Sequence, residues 1–181
     1  MEQFPFPGRE LAENELSRDP CFNKIRPEDV ATLADDAWKT GEDAANAVWE
    51  EQNGCSDFDL VTAKSGLTVK RIDKDKKVGN RRFFSDYYAG KGEICLYTQS
   101  VALWAKQNKM NQQQAENMIL MHEYFHFLEW TKLGLSSKNY LVPMIVLFGR
   151  GFGKTGVLAL SEIGAHAFAY TYYYRAADSQ S

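Results

Sequence analysis

Two of the chain's three histidines lie four residues apart in the segment ILMHEYFHFLEW, residues 119–130, and Glu123 directly follows the first. Residues four apart on an α-helix lie on the same face, so His122 and His126 can bind one zinc ion at about 2.0–2.1 Å each. Glu123 lies about 100° further round the helix, where it can accept a proton from a zinc-bound water. This HExxH spacing predicts a zinc hydrolase. The alternative is a pair of core histidines whose ring nitrogens bond to other side chains.

A catalytic zinc site needs a third protein ligand and keeps its fourth position for water. The segment ALSEIGAHAFAYTYY, residues 159–173, carries Glu162 and His166 on one helical face. We predict that Glu162 is the third ligand. His166 is the alternative ligand, or else a group that stabilises the oxyanion of the reaction, a role that Tyr170 or Tyr173 could also take. Small side chains allow this helix to pack closely on its neighbour, namely Gly164, Ala165, Ala167 and Ala169.

These two segments together resemble the ImmA/IrrE family of zinc metallopeptidases. That family has HExxH on one helix and an ExxANxFA-like motif on a later helix. The resemblance covers roughly residues 57–172, including the order of a helix, SGLTV, a hairpin and GEICLY before the HExxH helix. The positions that match the second motif are Glu162, Ala165, Phe168 and Ala169.

The resemblance implies zinc-dependent peptide hydrolysis with a gluzincin-like ligand set of His122, His126 and Glu162, and with Glu123 as the general base. His166 stands where the family usually has Asn. The gap between the two motifs is long, and no helix-turn-helix module accompanies the domain. Some members of the family cleave a repressor protein in the cytoplasm.

The hydrophobic pattern predicts one α+β domain over residues 1–181, with a zincin-like arrangement of helices on a small, largely antiparallel sheet. HExxH lies on a central helix that is apolar on most faces and therefore buried. We expect residues 1–26 to be an irregular arm and the catalytic core to span about residues 57–177. The predicted helices begin at Pro27, Thr40, Asp57, Asn111 and about residue 156, and the predicted strands are 67–72, 81–88 and 93–98.

Two further segments suggest ligand contacts. If the strand EICLY lies at a sheet edge, an extended peptide can pair with it beside the zinc. The run FGRGFGKTG is similar to a phosphate-binding P-loop but is one residue too short. We therefore predict a mobile Gly-rich loop near the zinc, where Arg150 or Lys154 meets substrate carboxylates.

Residues 70–82 hold seven Lys or Arg and two Asp. They form either an anion-binding edge or, as we favour, a solvated hairpin flank.

Composition limits the partners. The net charge is −3, which argues against a nucleic-acid partner. The start of the chain has no signal pattern, and the longest apolar run, YLVPMIVLF, is far shorter than the roughly 20 residues of a membrane span. We therefore expect a protein or peptide substrate and no membrane partner. Three cysteines without a CxxC pair indicate free thiols and a cytoplasmic protein.

The rival hypothesis to a zinc hydrolase is a zinc-stabilised binding or regulatory module that hydrolyses nothing, although such a site would not need Glu123.

Overall fold

The computed structural model describes residues 4–147 and 150–179, apart from the side chain of Val146, and has the predicted α+β fold. Its helices are α1 (Ala12–Ser17), α2 (Val30–Glu51), α3 (Phe58–Lys64), α4 (Thr98–Gln107), α5 (Gln112–Leu128) and α6 (Ala159–Asp178). Its strands are β1 (Thr68–Ile72), β2 (Lys76–Val78), β3 (Arg81–Phe83), β4 (Ser85–Tyr88), β5 (Glu93–Tyr97), β6 (Leu141–Leu147) and β7 (Arg150–Gly156). No helix in these described ranges is both long enough and apolar enough to cross a membrane.

The HExxH helix α5 forms as the sequence predicts. Asn111 and Gln114 form a capping box at its start, and most of its side chains are buried. Beyond Leu128 the chain forms one π-helical turn, Glu129–Leu133. This turn ends at Gly134, whose φ of 82° suits a residue without a side chain. Helix α5 therefore runs through the main core and ends at an irregular turn.

Helix α2 differs from the prediction, because it runs unbroken where a new helix is expected at Thr40. The helix stays continuous because of its packing against another helix. Gly41 lies against α6, and a Cβ atom there would be 2.1 Å from the carbonyl oxygen of Gly164. A Cβ at Gly164 would in turn be 2.6 Å from the ring of Phe125. The two glycines therefore let α2, α6 and α5 approach closely, which is the close packing that the small residues of the last helix predict.

The N-terminal arm is more ordered than expected. It contains α1, whose Leu16 is fully buried, and Phe4 is only 9% exposed in the main core. The prediction of an irregular arm is therefore wrong for α1. Phe4 packs in the main core, whereas Ala12 and Leu16 pack in a second core with Val142, Val157 and Leu160, and α6 contributes side chains to both cores.

The main sheet has the strand order β1–β5–β4, in which β5 is central. Strand β1 pairs with β5 in parallel, whereas β4 pairs with β5 in antiparallel fashion. EICLY is therefore not an edge strand, so the condition for a peptide to pair with it is not met, and β4 is an edge strand of this sheet instead. The predicted strand 81–88 is divided at Phe84 into β3 and β4, and β3 forms an antiparallel hairpin with β2.

The basic segment 70–82 is largely neutralised by acidic partners. Lys70 pairs with Glu93, and Arg71 bridges two carboxylates. Arg82 and Lys77 both pair with Asp75, where the arginine holds the pKa of the aspartate below its ordinary value. These ion pairs support the interpretation as a hairpin flank over that of an anion-binding edge.

The described part of the run that resembles a P-loop is a strand. Residues 150–156 form β7, which pairs in antiparallel register with β6. Backbone groups that would bind phosphate in a P-loop are used in this strand ladder. Gly149, the first glycine of the near match, lies outside the described residues. Arg150 and Lys154 are exposed on the hairpin and do not line the cleft described below, so their predicted contact with substrate carboxylates is not supported.

Candidate metal centre

Three side chains from α5 and α6 converge. The Nε2 atoms of His122 and His126 are 3.2 Å apart. The two carboxylate oxygens of Glu162 lie 3.3 Å from His122 Nε2 and 3.6 Å from His126 Nε2, respectively. Tetrahedral ligands at about 2.0–2.1 Å from a zinc ion are roughly 3.3–3.4 Å from each other. The spacing and the chemistry of this donor set therefore fit one zinc ion.

His126 is held by a buried carboxylate. Its Nδ1 lies 3.1 Å from Glu129, which is only 2% exposed. Glu129 also accepts hydrogen bonds from the backbone N–H of Ser136, at 2.8 Å, and from the hydroxyl of Ser161. Because Nδ1 is engaged in this way, Nε2 is directed at the metal position. A carboxylate in this position fixes the orientation of a zinc ligand and raises its basicity.

The charges around these groups favour a cation. Burial opposes a charge on His126, but the hydrogen bond to Glu129 and the carboxylates of Glu123 and Glu162 outweigh it and raise the pKa of His126 to about 9. Burial also raises the pKa of Glu162, yet the nearby imidazoles lower it to about 2. Without metal, a proton on His126 therefore compensates the carboxylates, and a dication can replace that proton.

Glu123 lies beside the three candidate ligands without joining them. Its side chain is only 7% exposed, and its Oε1 accepts a hydrogen bond from Ser85 Oγ at 2.5 Å. Ser85 begins the edge strand β4. The strand therefore fixes one oxygen of the candidate base and leaves the other available to a reacting group in the cleft.

His166 is close to the site, but its ring nitrogens are not part of the converging donor group, which contains His122, His126 and Glu162. Its ring lies 5.2 Å from that of His122, centre to centre, and stacks on Phe6 at 5.4 Å. Burial, together with His122, lowers the pKa of His166 to about 3, so the ring is neutral near pH 7. Geometry thus favours Glu162 over His166 as the third ligand.

These groups line a cleft with a volume of about 710 Å³. Most of its surface is aromatic and aliphatic, and its polar groups are those of the candidate centre together with Arg82, Asp86 and Ser137. Such a combination of apolar walls and a few convergent polar groups is typical of a binding site. The apolar side chains of the walls include Phe6, Phe83, Phe84, Tyr87, Trp130 and Leu158.

The predicted tyrosines are placed elsewhere. Tyr170 and Tyr173 pack against Phe4, and neither lines the cleft. Three other contributors were not predicted. Glu129 could have been found from its spacing three residues after His126 on the same helical face. Ser85 and Phe6 reach the site only through the tertiary fold, and no local pattern marks them.

No protein-family model, curated protein or solved structure matches this chain. The resemblance to the ImmA/IrrE family therefore stays a prediction from the two motifs.

Proposed function

We propose that this protein is a zinc-dependent peptidase that hydrolyses peptide bonds. The observation that carries the proposal is the convergence of His122, His126 and Glu162 at zinc-ligand spacing, with Glu123 beside them in a cleft. Sequence spacing alone places the two histidines together. The glutamate arrives from a helix more than thirty residues away in the chain, which makes an accidental cluster of core histidines a poor explanation.

Zinc bound by these three residues would supply a Lewis acid that activates water and polarises the substrate carbonyl. Glu123 would accept a proton from the attacking water and then donate it to the leaving amine nitrogen. One water is consumed, and the peptide bond becomes a carboxylate and an amine. Ser85 holds the glutamate in place for both transfers. His166 lines the cleft and could donate a hydrogen bond to the developing oxyanion.

An extended substrate chain would lie along β4. This strand is hydrogen-bonded to β5 on one side only within the described sheet, and Ser85, Asp86 and Tyr87 line the cleft. A peptide that pairs with the open side of β4 would bring a carbonyl group towards Glu123. The aromatic walls would favour substrates with apolar side chains near the cleaved bond.

The decisive experiment combines metal analysis with one substitution. Protein purified without added metal should contain about one zinc per chain, and a zinc content far below that would contradict the proposal. Glu123→Gln preserves the shape of the side chain and removes its basic carboxylate. Zinc content and melting temperature should stay near wild type, while hydrolysis falls by roughly 10²–10⁴-fold.

Mixed peptide libraries and denatured proteins, read by mass spectrometry, supply the activity measurement. Glu13→Gln, in the exposed part of α1, is the matched control and should cleave like wild type. Zinc-dependent cleavage that survives Glu123→Gln would contradict the role of this glutamate. If the zinc-loaded wild type cleaves nothing in broad libraries, the binding-module hypothesis replaces the peptidase.

A further inference from the structure

The β6–β7 hairpin exposes large apolar side chains. Leu141, Ile145, Leu147 and Phe152 are 49–54% exposed, although the root of the hairpin is well buried. Val142 and Val157 are at most 2% exposed in the second core, and Lys24 donates hydrogen bonds to the carbonyl oxygens of residues 143 and 144. The hairpin is therefore fixed at its base, and its apolar side chains remain in solvent.

The strand register places these side chains on one face. Ile145 is opposite Phe152, and Leu147 is opposite Arg150. Side chains of directly opposed residues, and of every second residue along a strand, point to the same side. Lys154 is opposite Pro143 and is exposed, but it lies beyond Gly153, whose φ of 65° interrupts the regular alternation of β7. Met144, between Pro143 and Ile145, is also 55% exposed. We call these exposed residues of the two strands the hairpin face: Leu141, Pro143, Ile145, Leu147, Arg150, Phe152 and Lys154.

The charge of this region is opposite to that of the rest of the chain. Residues 130–161 contain four Lys or Arg and no Asp or Glu, while the whole chain carries −3, so the remainder carries −7. Lys132 is paired with Glu51. Among the described residues, Arg150 and Lys154 of the hairpin face have no carboxylate within ion-pair distance. The face therefore combines bulky apolar groups with uncompensated positive charge.

We propose that the hairpin face binds the surface of an anionic lipid membrane. Side chains of Leu and Phe enter the boundary between headgroups and acyl chains, while Lys and Arg contact lipid phosphates. This proposal departs from our expectation of no membrane partner, which rested on the missing signal pattern and on apolar runs too short to span a bilayer. A surface contact requires neither feature. A partner protein would be expected to offer carboxylates to the cations and a shaped pocket to the apolar groups. A bilayer needs neither, and it tolerates a flat face of mixed Leu, Ile and Phe.

This inference goes beyond the proposed peptidase activity and does not depend on it. Helix α6 begins three residues after β7, and Leu158, between them, lines the cleft and is 67% exposed. Trp130, at the other end of the acid-free segment, also lines the cleft and is 58% exposed. If both proposals hold, peptide segments at the membrane surface are the substrates that would lie nearest the cleft.

Vesicle co-sedimentation tests the proposal with the whole chain. Vesicles of phosphatidylglycerol mixed with phosphatidylcholine should bind the protein, pure phosphatidylcholine should bind it much less, and added salt should weaken binding. Ile145→Asp should reduce partitioning by roughly tenfold or more, since an apolar side chain that would enter the lipid is replaced by a charge. Arg150→Glu combined with Lys154→Glu should reduce it by at least roughly fivefold for each residue.

Matched controls separate this face from general charge and hydrophobicity. Leu60→Asp changes a side chain on α3 that is also 53% exposed, and it should bind vesicles like wild type. Lys64→Glu combined with Lys106→Glu gives the same change in net charge away from the hairpin and should have a small effect. Glu162→Ala should bind vesicles normally, so a failure of the zinc proposal leaves this result unchanged.

Three outcomes would overturn the proposal. They are no binding to anionic vesicles, binding that the hairpin variants leave intact, and equal losses in the control variants. Light scattering on the same samples tests a different occupant. A dimer that Ile145→Asp dissociates, together with no vesicle binding, would assign the face to a second copy of the chain.

Discussion

The candidate metal centre and the β6–β7 hairpin depart in opposite ways from the usual distribution of side chains in a folded protein. Between α5 and α6, the carboxylates of Glu123 and Glu129 are buried. On the hairpin, Ile145 and Phe152 are half exposed. Buried polar groups and exposed apolar groups are the informative exceptions to the usual pattern.

The two exceptions differ in how they are stabilised. Every buried carboxylate at the centre has hydrogen-bond donors, since an unpaired one would destabilise the fold. The exposed hairpin side chains need no such partners, because they carry no polar groups to pair, and their contact with water is unfavourable only through the apolar surface left exposed. Substitutions at the centre that remove a ligand or leave a buried group unpaired should therefore change metal binding or stability strongly, whereas those on the hairpin face should change stability little.

The largest effect is expected at Glu129. Glu129→Ala leaves His126 Nδ1 and the backbone N–H of Ser136 without a buried partner. Loss of one member of such a buried network should reduce the free energy of unfolding by about 3–5 kcal/mol, measured by urea denaturation of the metal-free protein. Glu51→Ala is the control, because its ion pair with Lys132 is about half exposed on both sides. It should cost less than about 1 kcal/mol. Equal losses of stability in the two variants would mean that the buried network of Glu129 contributes no more than an exposed ion pair.

Next in size is the effect on metal affinity at α6. Glu162→Ala should weaken zinc binding by at least roughly 10–100-fold, the loss typical of groups that only support a ligand. His166→Ala should retain zinc and mainly slow hydrolysis, since its ring is not in the donor group. Titration of zinc against a competing chelator measures both. If His166→Ala loses the metal and Glu162→Ala keeps it, the assignment of the third ligand is reversed.

Much of the candidate centre could be predicted because it depends on local geometry. The spacing of His122 and His126 fixes their common face on any α-helix. The small residues around Glu162 indicate a helix packed closely on its neighbour, and the structure has this contact. The start of α5 at Asn111, where the structure has a capping box with Gln114, follows from the same kind of local signal.

The errors concern features that only the tertiary fold determines. Thr40 and Asp43 have the spacing of a helix cap and its partner, which suggests a new helix, but α2 continues through them. Gly41 instead serves the close contact of this continuous helix with Gly164. The order β1–β5–β4 cannot be obtained from strand patterns, and it turns β4 rather than β5 into an edge. Residues 150–156 of the Gly-rich run form a strand because they pair with the apolar β6, a contact that their own composition does not reveal.

The smallest effect is expected on the hairpin face, and β6 offers its own internal control. Ile145 is 52% exposed, whereas Val142 on the opposite side of the same strand is 2% exposed. Ile145→Ala should lower the free energy of unfolding by about 0.5 kcal/mol, mostly through its cross-strand contact with Phe152. Val142→Ala should cost about 2 kcal/mol, because it leaves a cavity in the second core. Urea denaturation of the two variants gives the comparison directly. A large loss of stability for Ile145→Ala would mean that its side chain is buried in solution, and the hairpin face would then not be available to a membrane.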